Sequence, residues 1–187
     1  MVPHLKINKG DVLISKPSIL GDITFNRSLI LVADYNEEGY VGFMINKPLQ
    51  DNLKDLVPSI NKDFKVFDGG PVDRDKLYFI HNVPDLISGG FQISDELYWG
   101  GEQEQLIPLI NQNLLGAHQI KFFLGYSGWA PEQLEDEIKE EAWIVESQFD
   151  NEVLISCSTP CLWNTKMRSL GGEYLIWSNA PDNPNYN

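Results

Sequence analysis

Three groups of residues in this chain have types and spacings that chemistry could use. The first is Gly125-Tyr126-Ser127-Gly128-Trp129, which follows the apolar run 122–124 and precedes Pro131 and an acidic stretch. An apolar strand, a glycine turn and a helix in that order can build a phosphate cradle or a serine nucleophile. A cradle needs free N–H groups at the helix start, with a Lys and a Ser or Thr behind the glycines. Pro131 removes one donor, and Glu132, Glu135 and Asp136 fill the positive end of the helix dipole with carboxylates. The phosphate reading fails. A nucleophile elbow reads G-x-S-x-G; Gly125 and Ser127 fit it, but Trp129 occupies the last glycine position. That architecture places its histidine after the serine, whereas His4, His81 and His118 all precede Ser127. What survives is a triad in another chain order, with His81 as base. The plainer reading is a sharp backbone turn with Trp129 as a lid on the core.

The second group is Cys157 and Cys161 in "CSTPC", one residue too long for a Cys-x-x-Cys redox turn. With Thr159 as a helix N-cap, Cys161 would fall in the first turn, where the dipole favours a thiolate. Two small thiols without chemistry is the simpler account. The third group is Asp68, Asp73 and Asp75 in "DGGPVDRD", whose spacing does not match a calcium loop. No His or Cys pair has zinc-ligand spacing either. The expectation is therefore no metal and no cofactor.

The elements that must position these residues follow from periodicity and turn chemistry. "GDVLISKP" (10–17) reads as a short strand stopped by Pro17. "NRSLILVADY" (26–35) and "YVGFMINKP" (40–48), separated by "NEEG", predict an antiparallel hairpin. Residues 51–57 read as one or two helical turns. "FKVFDGGPV" (64–72) and "KLYFIHNV" (76–83) predict a second hairpin turning at Gly69, Gly70 and Pro71. A short strand then leads into a helix over 102–115, with Leu106, Ile107, Ile110 and Leu114 on one face and Gly116 as the stop. "QIKFFLGY" (119–126) reads as a buried strand, 131–142 as an acidic helix and "AWIVES" as a strand. On the acidic helix Leu134 and Ile138 mark the buried stripe. "STPCLWNTKMRSLGG" predicts the last helix, with Pro160 at its first position and Gly171 past its end. The sum is a single α+β domain with a mostly antiparallel sheet over residues 1–176, and a fraying tail over 177–187.

Bulk properties narrow the function. A length of 187 residues suits one domain, and 42% hydrophobic content suffices for a core without staples. Fourteen basic against 27 acidic side chains give a net charge of −13. Nucleic-acid binding needs a clustered cationic face that releases counterions, and Lys and Arg are scattered here. Direct DNA binding is therefore disfavoured. The apolar runs are too short to cross a bilayer, and no apolar leader opens the chain. With only two cysteines, cytoplasmic residence is expected.

Several stretches, in collinear order over residues 10–172, resemble one family. They are "GDVLISKP", "FNRSLILV", "GFMINKPL", "DGGPV", "LYFIH", "FLGYSGWAPEQLEDEI", Trp143 and "TPCLWNTKMRSLGG". Together they resemble the bacterial AlgH/YqgE family. The resemblance implies a compact α/β domain whose bifurcated sheet curls into a pseudo-barrel, cytoplasmic residence, and for some members the label of transcriptional regulator. It brings no catalytic mechanism. The matching positions are Arg27, Asn46, Gly69, Gly70, Pro71, His81, Gly125, Gly128, Trp129, Gln133, Leu134, Glu135 and Trp163. The chain departs from the pattern at Ala33-Asp34, where members often carry Glu-His, and at Glu132, where they often carry glycine. Cys157 and Cys161 lie outside the pattern.

These matching residues are mostly backbone-shaping types, which points to a non-enzymatic binding or regulatory domain acting through a protein or small-molecule partner. The expected binding patch is Asn46, Gly69, Gly70, Pro71, His81, Trp129 and Gln133, gathered by two tight turns at 69–71 and 125–128. Two rivals stand beside it. One is a small-molecule hydrolase using His81 or Ser127, and the other is a transcription factor that contacts DNA itself.

Overall fold

The structure, a computed structural model, describes residues 6–17 and 23–180. His4 and the end of the expected tail, 181–187, lie outside them. Among the described residues ten strands run in chain order: β1 Val12–Ser15, β2 Leu29–Asn36, β3 Gly39–Met44, β4 Pro48–Asn52, β5 Lys65–Asp68, β6 Val72–His81, β7 Phe91–Ser94, β8 Leu97–Trp99, β9 Ile120–Trp129 and β10 Trp143–Glu146. Six short α-helices accompany them among the described residues: α1 Leu53–Leu56, α2 Leu106–Asn111, α3 Gln133–Lys139, α4 Asn151–Ser156, α5 Leu162–Leu170 and α6 Tyr174–Ser178.

The strands form one sheet in the order β10-β1-β2-β3-β9-β6-β8-β7, with β5 and then β4 branching off β9. All pairings are antiparallel except β5 with β9. The sheet is therefore bifurcated, as expected, and the fork lies on one edge of β9. Residues Phe122–Leu124 of that edge pair in parallel with Val66–Asp68, and Ser127–Trp129 pair with Gly42–Tyr40 of β3. The sheet curls without closing. Its far ends approach each other where Gly10 lies beside Ile93 and Ser94, and Asn151 Nδ2 reaches Ser94 Oγ at 3.4 Å.

Period-two alternation fills both faces of the sheet. Val12, Ile14, Leu29, Leu31, Phe43 and Phe123 point into the curl, where α4 and α5 add Leu154, Ile155, Trp163 and Met167. Their neighbours Leu13, Ile30, Val32 and Met44 face outward and are covered by Trp129, Leu134 and Trp143. On the β5–β9–β6 branch, Val66, Phe79 and Phe122 face α1 and α2 instead.

Four expectations are corrected. Strands over 64–72 and 76–83 exist, but β5 and β6 are not a hairpin: β9 lies between them. The chain passes from one edge of β9 to the other through Gly69-Gly70-Pro71. There is no turn at 125–128 either, because β9 runs unbroken through Gly125 and Gly128 to Trp129. Gly125, at φ +70°, is a kink within the strand. The three glycines make the fork possible by direct backbone contact. A Cβ on Gly69 would lie 2.1 Å from Gly125 O, and one on Gly70 would lie 2.3 Å from Tyr126 C.

The helix expected over 102–115 is a 3-10 turn, Gln103–Gln105, followed by α2, which ends at Asn111. Asn113 at φ +59° stops it, leaving Leu114 exposed while Leu115 is buried. The helix after "CSTPC" starts at Leu162 with Cys161, not Thr159, as the cap residue, and α6 follows it. Helix α4 was not anticipated; Asp150 caps it by accepting the Glu152 N–H at 2.8 Å.

Candidate functional site

The seven residues of the expected patch fall into different surroundings. Gly69 and Gly70 are buried at the fork, and Gly69 O accepts both Met44 N–H (3.1 Å) and Ser127 Oγ–H (3.0 Å). Pro71 is exposed just beyond them. Trp129 and Gln133 belong to a clasp built by α3. Glu137 Oε2 accepts the indole N–H groups of Trp129 (2.9 Å) and Trp143 (2.8 Å), while its Oε1 accepts Gln133 Nε2–H (2.9 Å). Gln133 Oε1 in turn accepts Ala130 N–H at 3.0 Å. Tyr40, beside this clasp, donates to Glu135 Oε1, and burial first, then that carboxylate, pushes its phenol above the ordinary range.

His81 stands apart from all of these. It pairs with Ile120, nine residues from Trp129 along β9, which is about 30 Å of strand. It is fully buried, its Nε2 contacts Gly100 O at 3.2 Å and its Nδ1 accepts Val83 N–H at 3.3 Å. Burial lowers its pKa, partly offset by Gly100, so the ring is neutral with its proton on Nε2. Both nitrogens are engaged, and Ser127 gives its proton to Gly69 O at the far end of the strand. That separation leaves His81 unable to act as base for Ser127, so the triad in another chain order is not formed. The acidic turn is likewise internally paired: Asp68 with Arg74 at 3.3 Å and Asp73 with Lys76 at 2.7 Å.

Asn46 leads to a different place. Its Oδ1 accepts Leu29 N–H (2.8 Å) and its Nδ2 donates to Arg27 O (2.9 Å), so one buried amide clamps both ends of the segment entering β2. Arg27 is held at φ +53°, a strained conformation for a residue with a Cβ. Its guanidinium carbon lies 5.1 Å from the centroid of the Trp163 ring, and Nη2 donates to Ala180 O at 2.5 Å. Trp163, in the first turn of α5, is fixed by donating to Ser15 O at 2.9 Å. These residues wall a cleft of about 240 Å³ whose described lining is Asn26, Arg27, Lys47, Pro160, Cys161, Trp163 and Asn164. Lys47 Nζ spans its mouth to Asn26 O at 2.5 Å. Asn164 Oδ1 is buried there without a hydrogen-bond partner. None of the described lining residues is acidic, in a chain of net charge −13. The cleft therefore gathers two cations, an aromatic wall and the positive end of α5.

Residues 12–175 match the sequence profile of the AlgH-like family. The chain belongs to the AlgH-like family. Among its relatives, a UPF0301 protein of Cytophaga hutchinsonii is 37% identical over 183 residues, covering 97% of this chain and 100% of the relative. One from Bacteroides thetaiotaomicron is also 37% identical, covering 96% and 91%. The solution structure of the AlgH protein from Pseudomonas aeruginosa is similar with a TM-score of 0.69 and 24% identity, over 92% of this chain and 94% of that one. A crystal structure of a Corynebacterium diphtheriae protein gives 0.70 at 19% identity, over 96% and 95%. The AlgH-like fold is thus shared well beyond recognisable sequence. In this AlgH-like chain, Arg27, Asn46 and Trp163 come from three separated stretches, and the fold brings them to one cleft.

Sequence reasoning placed Asn46 in the patch but did not single out Lys47, Asn26 or Asn164, although all three lie inside the stretches quoted for the family resemblance. It also missed Lys121, whose signal was a lone cation inside the apolar run "QIKFFLG". Among the described residues no helix is long and apolar enough to cross a membrane.

Proposed function

We propose that this AlgH-like protein is a binding domain for a small anionic ligand, seated in the Arg27–Lys47–Trp163 cleft, and that it acts by binding rather than by turnover. The observation that carries this reading is the way Arg27 is held: a strained backbone clamped by Asn46, with the guanidinium laid on a fixed indole beside a second cation. Strain of about 1–3 kcal/mol is retained where the surroundings over-determine it, and such places concentrate at ligand clamps. Both cations already hold protein partners, so the ligand would complete an existing network rather than neutralise isolated charges. A planar guanidinium pre-ordered on an aromatic face loses little entropy when it receives a carboxylate or phosphate oxygen. Residence in the cytoplasm and regulation through a ligand or protein partner, not through DNA, fit the same reading, because the net charge of −13 opposes a phosphate backbone. Asn46 and the fork glycines Gly69 and Gly70 serve this site as braces.

Calorimetric titration with inorganic phosphate and pyrophosphate tests the proposal. Binding of at least one of them is expected, weakened about tenfold or more in Arg27→Gln and in Lys47→Met, the effect of losing one charge-assisted contact. Absence of binding at millimolar concentrations, or variants that bind like the parent, would refute it.

A further inference from the structure

A second cleft, unconnected with the first in its lining, opens between β5, β9 and the end of α4. It measures about 240 Å³; Phe64, Phe67, Ile120, Ile155 and Lys121 form its inner wall, and the exposed Asp63, Lys65, Ser156 and Ser158 with half-buried Cys157 form its rim. Lys121 is the unusual member. It is only 2% exposed and sits on the inward face of β9 with Phe123, two residues on, which is in register with Phe67 of β5. Its Nζ donates to Leu154 O at 3.1 Å and to Cys157 O at 2.5 Å, and lies 4.0 Å from the centroid of the Phe67 ring.

A neutral amine has two N–H groups and one lone pair. The two carbonyls at the end of α4 take both N–H groups, and no carboxylate forms an ion pair with Nζ among the described residues. We infer that Lys121 is a nucleophilic amine that forms a reversible imine with a small, apolar-bodied aldehyde entering this cleft. The apolar inner wall and the volume fit a compact hydrocarbon or aromatic body, with Asp63 and Lys65 confined to the rim. In the reaction the Nζ lone pair adds to the carbonyl carbon and the C=O π pair moves to oxygen. One N–H proton transfers to that oxygen, and the carbinolamine then expels water to leave C=N. The imine nitrogen, which has given up both N–H protons, takes one from solvent water and donates that N–H to Cys157 O. Burial pushes the amine down to about 7, with the Cys157 thiol opposing the shift, so the reactive form is populated at neutral pH.

The test is labelling of the intact protein at pH 7 with benzaldehyde and cyanoborohydride, followed by peptide mapping. An ordinary lysine is neutral to less than about one part in a thousand at that pH. Lys121 is therefore expected to carry at least ten times more benzyl label than any other lysine, at a rate that levels off above about pH 8. Label spread over the exposed lysines with Lys121 unmodified would overturn the inference. So would modification of Lys121 only in urea, or a rate that keeps climbing beyond pH 10. These outcomes come from the parent protein and need no variant that must fold. A folded Lys121→Arg protein should lose the selective label and keep the anion binding proposed above, which separates the two readings.

Discussion

Glu137 shows how much of this molecule's chemistry is spent on holding itself together. One carboxylate serves two indole N–H groups and a glutamine amide. Removing it leaves two nearly buried indole donors without an acceptor. Glu137→Ala should lower unfolding stability by about 2–4 kcal/mol, measured by urea titration. A loss below 1 kcal/mol would mean that water takes the place of the carboxylate. Glu132 offers the opposite case. It sits at φ +69°, a left-handed conformation that favours glycine. Its carboxylate makes none of the clasp's hydrogen bonds, so Glu132→Gly should stabilise the protein by about 0.5–1 kcal/mol in the same titration. Unchanged or reduced stability would show that the glutamate contributes something its geometry does not reveal. The sequence flagged Glu132 as a departure, but its left-handed backbone was visible only in three dimensions.

At the scale of elements, the fork is the decisive arrangement. Gly69 N–H donates to Leu124 O (2.8 Å) and Gly69 O accepts from Met44, so one residue ties β3, β5 and β9 together. Gly69→Ala would drive a Cβ to within 2.1 Å of Gly125 O, and no side chain can move aside because the obstacle is backbone. That variant should fail to give a cooperative unfolding transition in circular dichroism. Gly171→Ala, a C-cap with open space around it and φ +69°, should cost only about 1 kcal/mol. If both variants behave alike, the fork is not the tight junction described. The β2–β3 hairpin was legible because its two runs meet through a short polar turn. The false hairpin at 64–83 arose because glycine punctuation looks the same whether strands pair directly or through a third one. The partner, β9, lies some forty residues further along, and local pattern carries no trace of it. Helix α2 was overextended for a related reason: Leu114 fits the period, but Asn113 turns the chain first.

For the whole molecule, Lys121 couples folding to pH. Its folded pKa of about 7 lies below the unfolded value near 10.5, so between them the unfolded chain binds more protons. Stability should therefore rise with pH above 7, by up to about 1.4 kcal/mol per pH unit from this group, and fall to a plateau below 7. The difference between the parent and Lys121→Met, followed by urea unfolding from pH 6.5 to 9.5, should show that slope. Identical pH profiles would remove Lys121 as its source. The sequence announced the family, the sheet and most strands. It did not announce either cleft, because Arg27, Lys47 and Trp163, or Lys121 and Cys157, are far apart in the chain and meet only when the sheet curls.

The central claim is that the cleft at Arg27, Lys47 and Trp163 holds an anion. The most direct measurement is backbone amide NMR of the folded protein titrated with pyrophosphate. Saturable shifts confined to residues 26–27, 46–47 and 161–164 are predicted, and they should disappear in Arg27→Gln. Shifts scattered over the surface, or centred on the fork or on His81, would contradict it.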